Sequence, residues 1–169
     1  MKRLLLSVVL AAALPCVVAA APRPHLEGWT EETQTLLAAA VLGESGWNRV
    51  TDHDALPWLL HRRWQQVGGS FEDLIRTYCK ALSGKRRWLL ELNQAGDAPA
   101  SWPRNAASWE RHRKLWFRIR DRIGAWARGR VPDPCPGAVH FGGPMDKPPS
   151  GVVPAVCAGS ANRFWKIGG

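Results

Sequence analysis

The sequence predicts a mostly α-helical domain that ends in a Pro/Gly-rich segment with short strands. Between residues 30 and 128, apolar residues recur at steps of three and four, which is the spacing of one helix face. From residue 129 onward this spacing stops, and Pro and Gly separate short β-prone stretches. A chain of 169 residues has the size of one domain. We therefore expect a helical body, residues 30–128, and a flap, residues 129–169, within a single domain at 21–169.

The first 20 residues have the pattern of a secretory signal peptide. Lys2 and Arg3 precede the apolar run LLLSVVLAAALPCVVAAA, and VAA at 18–20 fits a cleavage site. An uncleaved anchor and a lipoprotein attached at Cys16 are alternatives. Pro15 interrupts the run, and it stands where a lipoprotein signal needs a small residue. We expect cleavage after residue 20, a periplasmic or secreted protein, and no stable membrane span in the mature chain.

The first predicted helix follows Thr30, whose hydroxyl can cap it. Its apolar stripe is formed by Leu36, Leu37, Ala40 and Val41. Gly46 ends it, because glycine adopts the backbone conformation that stops a helix. Glu44 falls on the same stripe as the apolar residues, at the junction of helix and glycine turn.

The second predicted helix begins near Asp52 or Asp54, either of which can cap it, with Pro57 in its first turn. Its buried face is formed by Leu56, Leu60, Trp64 and Val67. We expect His53 and His61, on the same segment, to lie at the surface or to act in capping.

Three more helices complete the predicted body. Ser70 caps a helix whose apolar stripe reaches Leu82, and a short helix follows at 86–92. The longest helix spans about 106–128 and carries one continuous apolar stripe. We assign three tryptophans of that stripe to the core: Trp109, Trp116 and Trp126. The arginines and lysine on its other faces favour a solvated surface, with anion binding as the alternative.

The flap is predicted to contain extended segments near 138–141, 151–156 and 163–167. Its two cysteines, Cys135 and Cys157, lie in this loop-rich region, and an exported protein can form disulfides, so we predict that they pair. Cys79 falls on an apolar helix face and is predicted to be a buried free thiol. No C-x-x-C or paired-histidine spacing indicates a metal site, and no cofactor is expected.

Composition indicates the kind of surface that the protein contacts. The formal net charge is +9, and removal of Lys2 and Arg3 with the signal peptide lowers it to +7. A basic exported protein is attracted to anionic lipid or wall polymer, and nucleic acid is a weaker alternative that rests on charge and tryptophan content alone. Ten tryptophans are many for this length, and indole rings also stack on the apolar faces of sugars.

Glu44 is the strongest candidate for chemistry. Burial disfavours a charged carboxylate, and the negative end of the helix dipole disfavours it further, so both should raise its pKa. A carboxylic acid that stays protonated near neutral pH can donate a proton to the oxygen of a glycosidic bond. The alternative is an ordinary acidic residue at a frayed helix end.

Two resemblances give this carboxylate a context. Residues 44–48, ESGWN, are similar to the E-S-G-aromatic-N signature of lysozyme-like lytic transglycosylases, although TDHDALPWLLHRRWQQ follows where that family usually has a G-L-M-Q turn. The order GE at 43–44, ALPWLLHRRW, AVHF at 138–141 and NRFW at 162–165 resembles cell-wall hydrolases of the spore-cortex-lytic type. The chain therefore looks like a divergent member of the lysozyme-like peptidoglycan-cleaving superfamily.

The resemblance implies a fold, a reaction and a set of site residues. The fold would be a lysozyme-like helical domain, and Glu44 would cleave the bond between N-acetylmuramic acid and N-acetylglucosamine in peptidoglycan glycan strands. If water attacks the sugar, a second carboxylate is expected, and Asp52 and Asp54 are the nearest in sequence. The expected substrate-binding residues are Ser45, Trp47, His140, Phe141, Asn162, Arg163 and Trp165.

Each of these residues also has a structural alternative. Asp52 and Asp54 can be helix caps, His140 a structural histidine, and Asn162 and Arg163 turn and surface residues. The alternative for the whole chain is a non-catalytic wall-binding or assembly protein on a lysozyme-like frame. No nucleic-acid partner is expected, and the sequence identifies no protein partner.

Overall fold

The structure is a computed structural model that describes residue 26 and residues 28–84, 86–160 and 162–168. The predicted signal peptide, residues 1–20, lies outside the described residues. In the part of the chain that is described, no helix is both long and apolar enough to cross a membrane.

Helices dominate the fold, and the prediction of a mostly α class is confirmed. The helices are α1 (Glu31–Ser45), α2 (Val50–Val67), α3 (Phe71–Tyr78), α4 (Lys80–Ser83) and α5 (Ala106–Ala127), with a 3₁₀ turn at Arg87–Glu91. The strands are β1 (His140–Gly142), β2 (Val152–Pro154) and β3 (Arg163–Ile167). The predicted strands at 138–141, 151–156 and 163–167 each overlap one of these.

Helix α1 is the centre of the helical body. The Thr30 side chain accepts a hydrogen bond from the Thr33 N–H, and Gly46, with φ of 79°, ends the helix, as predicted. Residues 37–42 are buried, because α1 packs against α2, α3, α4 and α5 on its different sides. An apolar sequence on all sides of a helix predicts such a central position.

Tryptophan fills much of the remaining core. Trp109, Trp116 and Trp126 on α5 are buried, as predicted. Trp126 meets Trp29 and Trp58 edge to face, with ring centroids 5.9 Å apart in both pairs. Aromatic pairs prefer this arrangement, and each large ring that is buried contributes strongly to stability.

Several predictions for α2 are wrong. The helix begins at Val50 after Arg49, so neither Asp52 nor Asp54 is its cap, and Pro57 lies inside it. Both aspartates are instead buried and have partners elsewhere in the fold. Tertiary hydrogen bonds therefore take the side chains that local propensity assigned to capping.

The burial pattern along α2 also differs from the prediction. His53 and His61 are buried and do not lie at the surface. Val67, predicted to be buried, is 61% exposed, since it is the last residue of the helix. Leu56 and Leu60 are buried as expected.

The third predicted helix is interrupted at Cys79, where the backbone is extended, and divides into α3 and α4. Cys79 is a buried free cysteine, as predicted.

The flap is a three-stranded antiparallel sheet in the order β1-β3-β2. His140 pairs with Trp165 and Phe141 with Phe164 across β1 and β3, while Pro154 pairs with Trp165 across β2 and β3. Side chains alternate between the two faces along a strand, and residues paired directly across neighbouring strands lie on the same face. His140 and Trp165 therefore share one face of the sheet.

A disulfide stabilises the flap, and polar contacts attach it to α2. The predicted disulfide between Cys135 and Cys157 is present. The Arg62 guanidinium pairs with Asp133 and donates to the carbonyls of Ala138 (2.7 Å) and Cys135 (3.1 Å). These bonds satisfy carbonyl groups of a loop that has few backbone partners of its own.

Candidate active site

A cleft of about 690 Å³ opens between the helical body and the flap. Five of the residues predicted for the site lie in its wall: Glu44, His140, Phe141, Asn162 and Trp165. The remaining wall residues are Thr77, Tyr78, Lys80, Gly142, Gly143, Asp146, Lys147 and Pro149. Residues far apart in sequence thus meet around Glu44.

Close helix packing places Glu44 in this wall. A Cβ on Gly43 would lie 2.6 Å from the Ala81 Cβ and 2.8 Å from the Leu89 Cδ1, so only glycine allows α1 to approach α4 this closely. The Ala81 N–H donates to the Glu44 Oε1 at 2.9 Å, which orients the carboxyl group. The glycine before Glu44 is therefore required by packing.

Two more contacts hold the end of α1. Arg86 donates to the Gly43 carbonyl at 2.9 Å. The His53 Nε2 lies 2.7 Å from the Gly46 carbonyl and must donate, because a carbonyl oxygen can only accept. The turn that follows Glu44 is thus held by α2 and by the loop before the 3₁₀ turn.

Burial raises the pKa of Glu44 above its usual value of 4.5, and this effect exceeds the opposing influence of the Ala81 N–H and of the Arg86 and Lys80 charges. The direction agrees with the expectation from sequence, and burial is the dominant cause. A half-buried carboxyl group with this bias, open to a cleft, suits proton donation.

The flap side of the cleft presents a hydrogen-bonded histidine. The Tyr78 hydroxyl lies 3.1 Å from the His140 Nδ1 and 3.4 Å from the Val139 carbonyl. The Arg63 guanidinium lies over the Tyr78 ring, 4.4 Å from its centroid, and 3.4 Å from both ring nitrogens of His140. Burial and the Arg63 charge lower the pKa of His140, so the neutral imidazole is favoured.

Apolar rings lie beside these polar groups. Phe141 contacts Tyr78 edge to face at 5.9 Å, and Trp165 is buried in the sheet while one part of it borders the cleft. A Cβ on Gly142 would lie 3.1 Å from the Trp165 ring, so this glycine leaves room beside the indole. The wall thus combines ring surface with hydrogen-bonding groups, as ligand-binding clefts do.

Asp146 is the one carboxylate besides Glu44 among the described residues of the cleft wall. Its Oδ2 accepts the Gly143 N–H at 2.7 Å, which fixes it on the turn after β1. Lys80 and Lys147 supply positive charge to the same wall.

Asp52 and Asp54 do not line the cleft and have other partners. Asp54 forms an ion pair with Arg122 on α5. Asp52 is 1% exposed and accepts hydrogen bonds from Ser160 and from the Asn162 side chain, the latter at 3.3 Å. Asp52 therefore contacts the cleft through Asn162.

Three predicted binding residues lie elsewhere. The Ser45 hydroxyl donates back to the Val41 carbonyl at 2.6 Å. Trp47 stacks on Trp88 with centroids 6.1 Å apart, in an aromatic cluster outside the cleft wall. Arg163 is exposed, and it lines an adjoining cavity of about 420 Å³ that shares Asn162 and Trp165 with the cleft.

Sequence analysis missed Tyr78, Lys80, Asp146 and Lys147. Tyr78 falls inside the third predicted helix, and its position as a helix end became visible only when the structure divided that helix at Cys79. Asp146 lies in a Pro/Gly-rich loop, GGPMDKPP, which has no periodic pattern to indicate where its side chains point.

A second cavity, of about 450 Å³, runs along α1 and residues 89–95. Its one carboxylate among the described lining residues is Glu32, and hydrogen bonds from its own backbone N–H and from Thr30 lower the pKa of that group. An exposed, ionised carboxylate is a poor proton donor, so the chemistry points to the cleft at Glu44.

Within the described residues, no cluster of three or more His, Cys, Asp or Glu side chains could hold a metal ion. Comparison of the chain with protein-family models, with curated proteins and with solved structures finds no match.

Proposed function

We propose that this protein is an exported enzyme that cleaves peptidoglycan at the bond between N-acetylmuramic acid and N-acetylglucosamine, on a lysozyme-like helical frame. The observation that carries the proposal is the position of Glu44, a half-buried carboxyl group with a raised pKa that opens into a cleft walled by aromatic and polar groups. The sequence resemblance at residues 44–48 and 138–141 supports the choice of substrate.

In the proposed reaction, Glu44 acts first as an acid. It donates its proton to the bridging oxygen, and the bond from that oxygen to the muramic acid C1 breaks as positive charge develops on the sugar. Glu44, now ionised, can accept a hydrogen bond from the Ala81 N–H and is near the charges of Arg86 and Lys80. These groups stabilise the carboxylate that forms in this step.

Glu44 acts next as a base. If a hydroxyl of the same sugar attacks C1, Glu44 takes the hydroxyl proton, the product carries an anhydro ring, and the enzyme returns to its starting protonation state. If water attacks, the product has a reducing end and a second carboxylate is expected. Asp146 lines the cleft with Glu44, whereas Asp52 and Asp54 do not, so it is the proposed partner for that route.

The central experiment compares wild-type protein with Glu44→Gln on purified peptidoglycan, with released muropeptides identified by mass. We expect the rate to fall by about 100- to 10,000-fold, which is the usual contribution of a general acid–base group. Anhydro ends would indicate transglycosylation, and products heavier by one water would indicate hydrolysis. In the hydrolytic case, Asp146→Asn should cause a similar loss.

Glu110→Gln is the matched control, because Glu110 is an exposed carboxylate on α5 outside the cleft wall. It should retain the wild-type rate. Release of muropeptides that is equal in wild type and Glu44→Gln would disprove the assignment of the acid. Binding without release by either protein would favour the alternative, a non-catalytic wall-binding protein.

A further inference from the structure

Asp52 is a buried carboxylate with no part in the proton transfer described above. It is 1% exposed and lies on α2, yet its hydrogen-bond donors come from the flap. Ser160 donates to Oδ1, and the Asn162 side chain donates from Nδ2 to Oδ2 at 3.3 Å. The Asn162 backbone N–H donates to the Ser160 hydroxyl at 3.0 Å. A buried charge is costly unless it is hydrogen-bonded in this way.

This contact determines which way the Asn162 amide faces. A carboxylate oxygen accepts hydrogen bonds, and the amide nitrogen is the atom turned toward Asp52. The amide oxygen, Oδ1, then points away from Asp52. It accepts no hydrogen bond from any residue in the described part of the chain, and Asn162 lines the cleft next to Trp165. The Oδ1 of this wall residue is therefore available to accept a hydrogen bond from a ligand.

We propose that Asp52 is a positioning residue and that it orients Asn162 so that the Asn162 Oδ1 accepts the N–H of an acetamido group on the substrate sugar. This inference rests on the proposed function for the choice of a glycan substrate. It assigns to Asn162 the hydrogen bond to the substituent on C2 of that sugar. It also explains why a carboxylate is buried between α2 and the flap.

The test measures affinity, which does not depend on turnover. The probe is chitotetraose, an uncharged tetramer of N-acetylglucosamine, and its binding to wild type and to Glu44→Gln is measured by titration calorimetry. Both proteins should bind it, and loss of one hydrogen bond should weaken binding by about three- to tenfold.

Asn162→Ala should bind chitotetraose more weakly by this factor, because the acceptor is removed. Asp52→Asn should lose a similar factor while Asn162 remains in place, because an amide at position 52 can donate to Oδ1 and allow Asn162 to turn its NH₂ group toward the cleft. Asp54→Asn is the matched control. It alters a neighbouring buried carboxylate on the same helix, paired with Arg122, which does not reach the cleft, so the affinity should be unchanged.

The outcomes separate this inference from the proposed function. An affinity for chitotetraose that is unchanged in Asn162→Ala, or in a folded Asp52→Asn, would overturn the inference even if peptidoglycan cleavage depends on Glu44. Weaker binding by both Asn162→Ala and Asp52→Asn, with Asp54→Asn unchanged, would support it even if no cleavage is found. If Asp52→Asn fails to fold, Asn162→Ala and Asp54→Asn decide the question.

Discussion

The helical body and the flap are stabilised in different ways. The body has an apolar core around α1, with Trp109, Trp116 and Trp126 buried against it. The flap has short strands, one disulfide and polar contacts to α2 through Arg62 and Asp52. The cleft lies where the two meet, with the candidate acid on the body and most of the candidate recognition groups on the flap. Stability and substrate recognition should therefore respond to different substitutions.

The largest effect on stability is expected from the core of the body. Trp116→Ala removes a fully buried indole and its hydrogen bond to the Asn93 carbonyl, and should lower the free energy of unfolding by about 3–5 kcal/mol. Trp165→Ala in the flap should cost less, because the space it leaves is open to the cleft, and should weaken chitotetraose binding more. Chemical denaturation and calorimetry test this pair, and equal losses of stability would contradict the distinction.

Loss of the disulfide should affect mainly the flap. Replacement of Cys135 and Cys157 by serine removes a cross-link between residues 22 apart and should cost about 2–4 kcal/mol. Hydrogen exchange followed by mass spectrometry should show faster exchange in residues 131–167, with α1 and α5 still protected. Cys79→Ala, which removes the buried free thiol, is the control and should leave flap exchange unchanged. Equal deprotection of α1 would show that the two regions unfold together.

Gly43 tests the packing that positions the acid. Gly43→Ala places a methyl group within 3 Å of Ala81 and Leu89, and should cost about 1–3 kcal/mol and reduce cleavage by moving α4 away from Glu44. Gly84→Ala is the control, because its Cβ would meet only ordinary contacts and its φ of −91° suits alanine. Thermal melts and cleavage rates measure both effects. Equal melting temperatures of the two variants would show that close packing at Gly43 is unimportant.

The smallest effect on stability concerns Glu44 itself. Its raised pKa means that the folded state holds the proton more tightly than the unfolded state. The resulting cost to stability is absent below pH 4.5 and grows as pH rises through the folded pKa. Glu44→Gln should therefore stabilise the protein at neutral pH, by less than about 1 kcal/mol because the group is partly exposed, and not at pH 4.

Melting temperatures of wild type and Glu44→Gln across this pH range test the prediction. The cleavage rate of wild type should fall over the same rise in pH, because the acid form is lost. A Glu44→Gln variant that is less stable than wild type at neutral pH would contradict the burial of this carboxyl group, and Glu110→Gln should show no pH-dependent difference.

Predictions from sequence succeeded where local chemistry controls the structure. Thr30 and Gly46 bound α1 because capping and a positive φ are properties of single residues and their neighbours. They failed at Asp52, Asp54, His53 and Val67. Partners from the flap, from α5 and from the turn after α1 contact the first three side chains, and Val67 is exposed because it is the last residue of its helix.

The candidate site shows the same division. Five residues of the short motifs line the cleft: Glu44, His140, Phe141, Asn162 and Trp165. Ser45, Trp47 and Arg163 belong to the same motifs and do not. Consecutive residues at a helix end point in different directions, so adjacency in sequence does not predict a shared wall.

The sequence by itself determined the helical class, the start and end of α1, the pairing of Cys135 with Cys157 and the burial that raises the pKa of Glu44. These follow from periodicity, capping, cysteine count and an apolar stripe. Only the tertiary structure decided that Asp52 holds Asn162, that Tyr78 contacts His140 and that Asp146 joins Glu44 in one wall. Such contacts depend on how the flap lies against α2 and α3, and hydrogen bonds between distant residues leave no periodic pattern in a single chain.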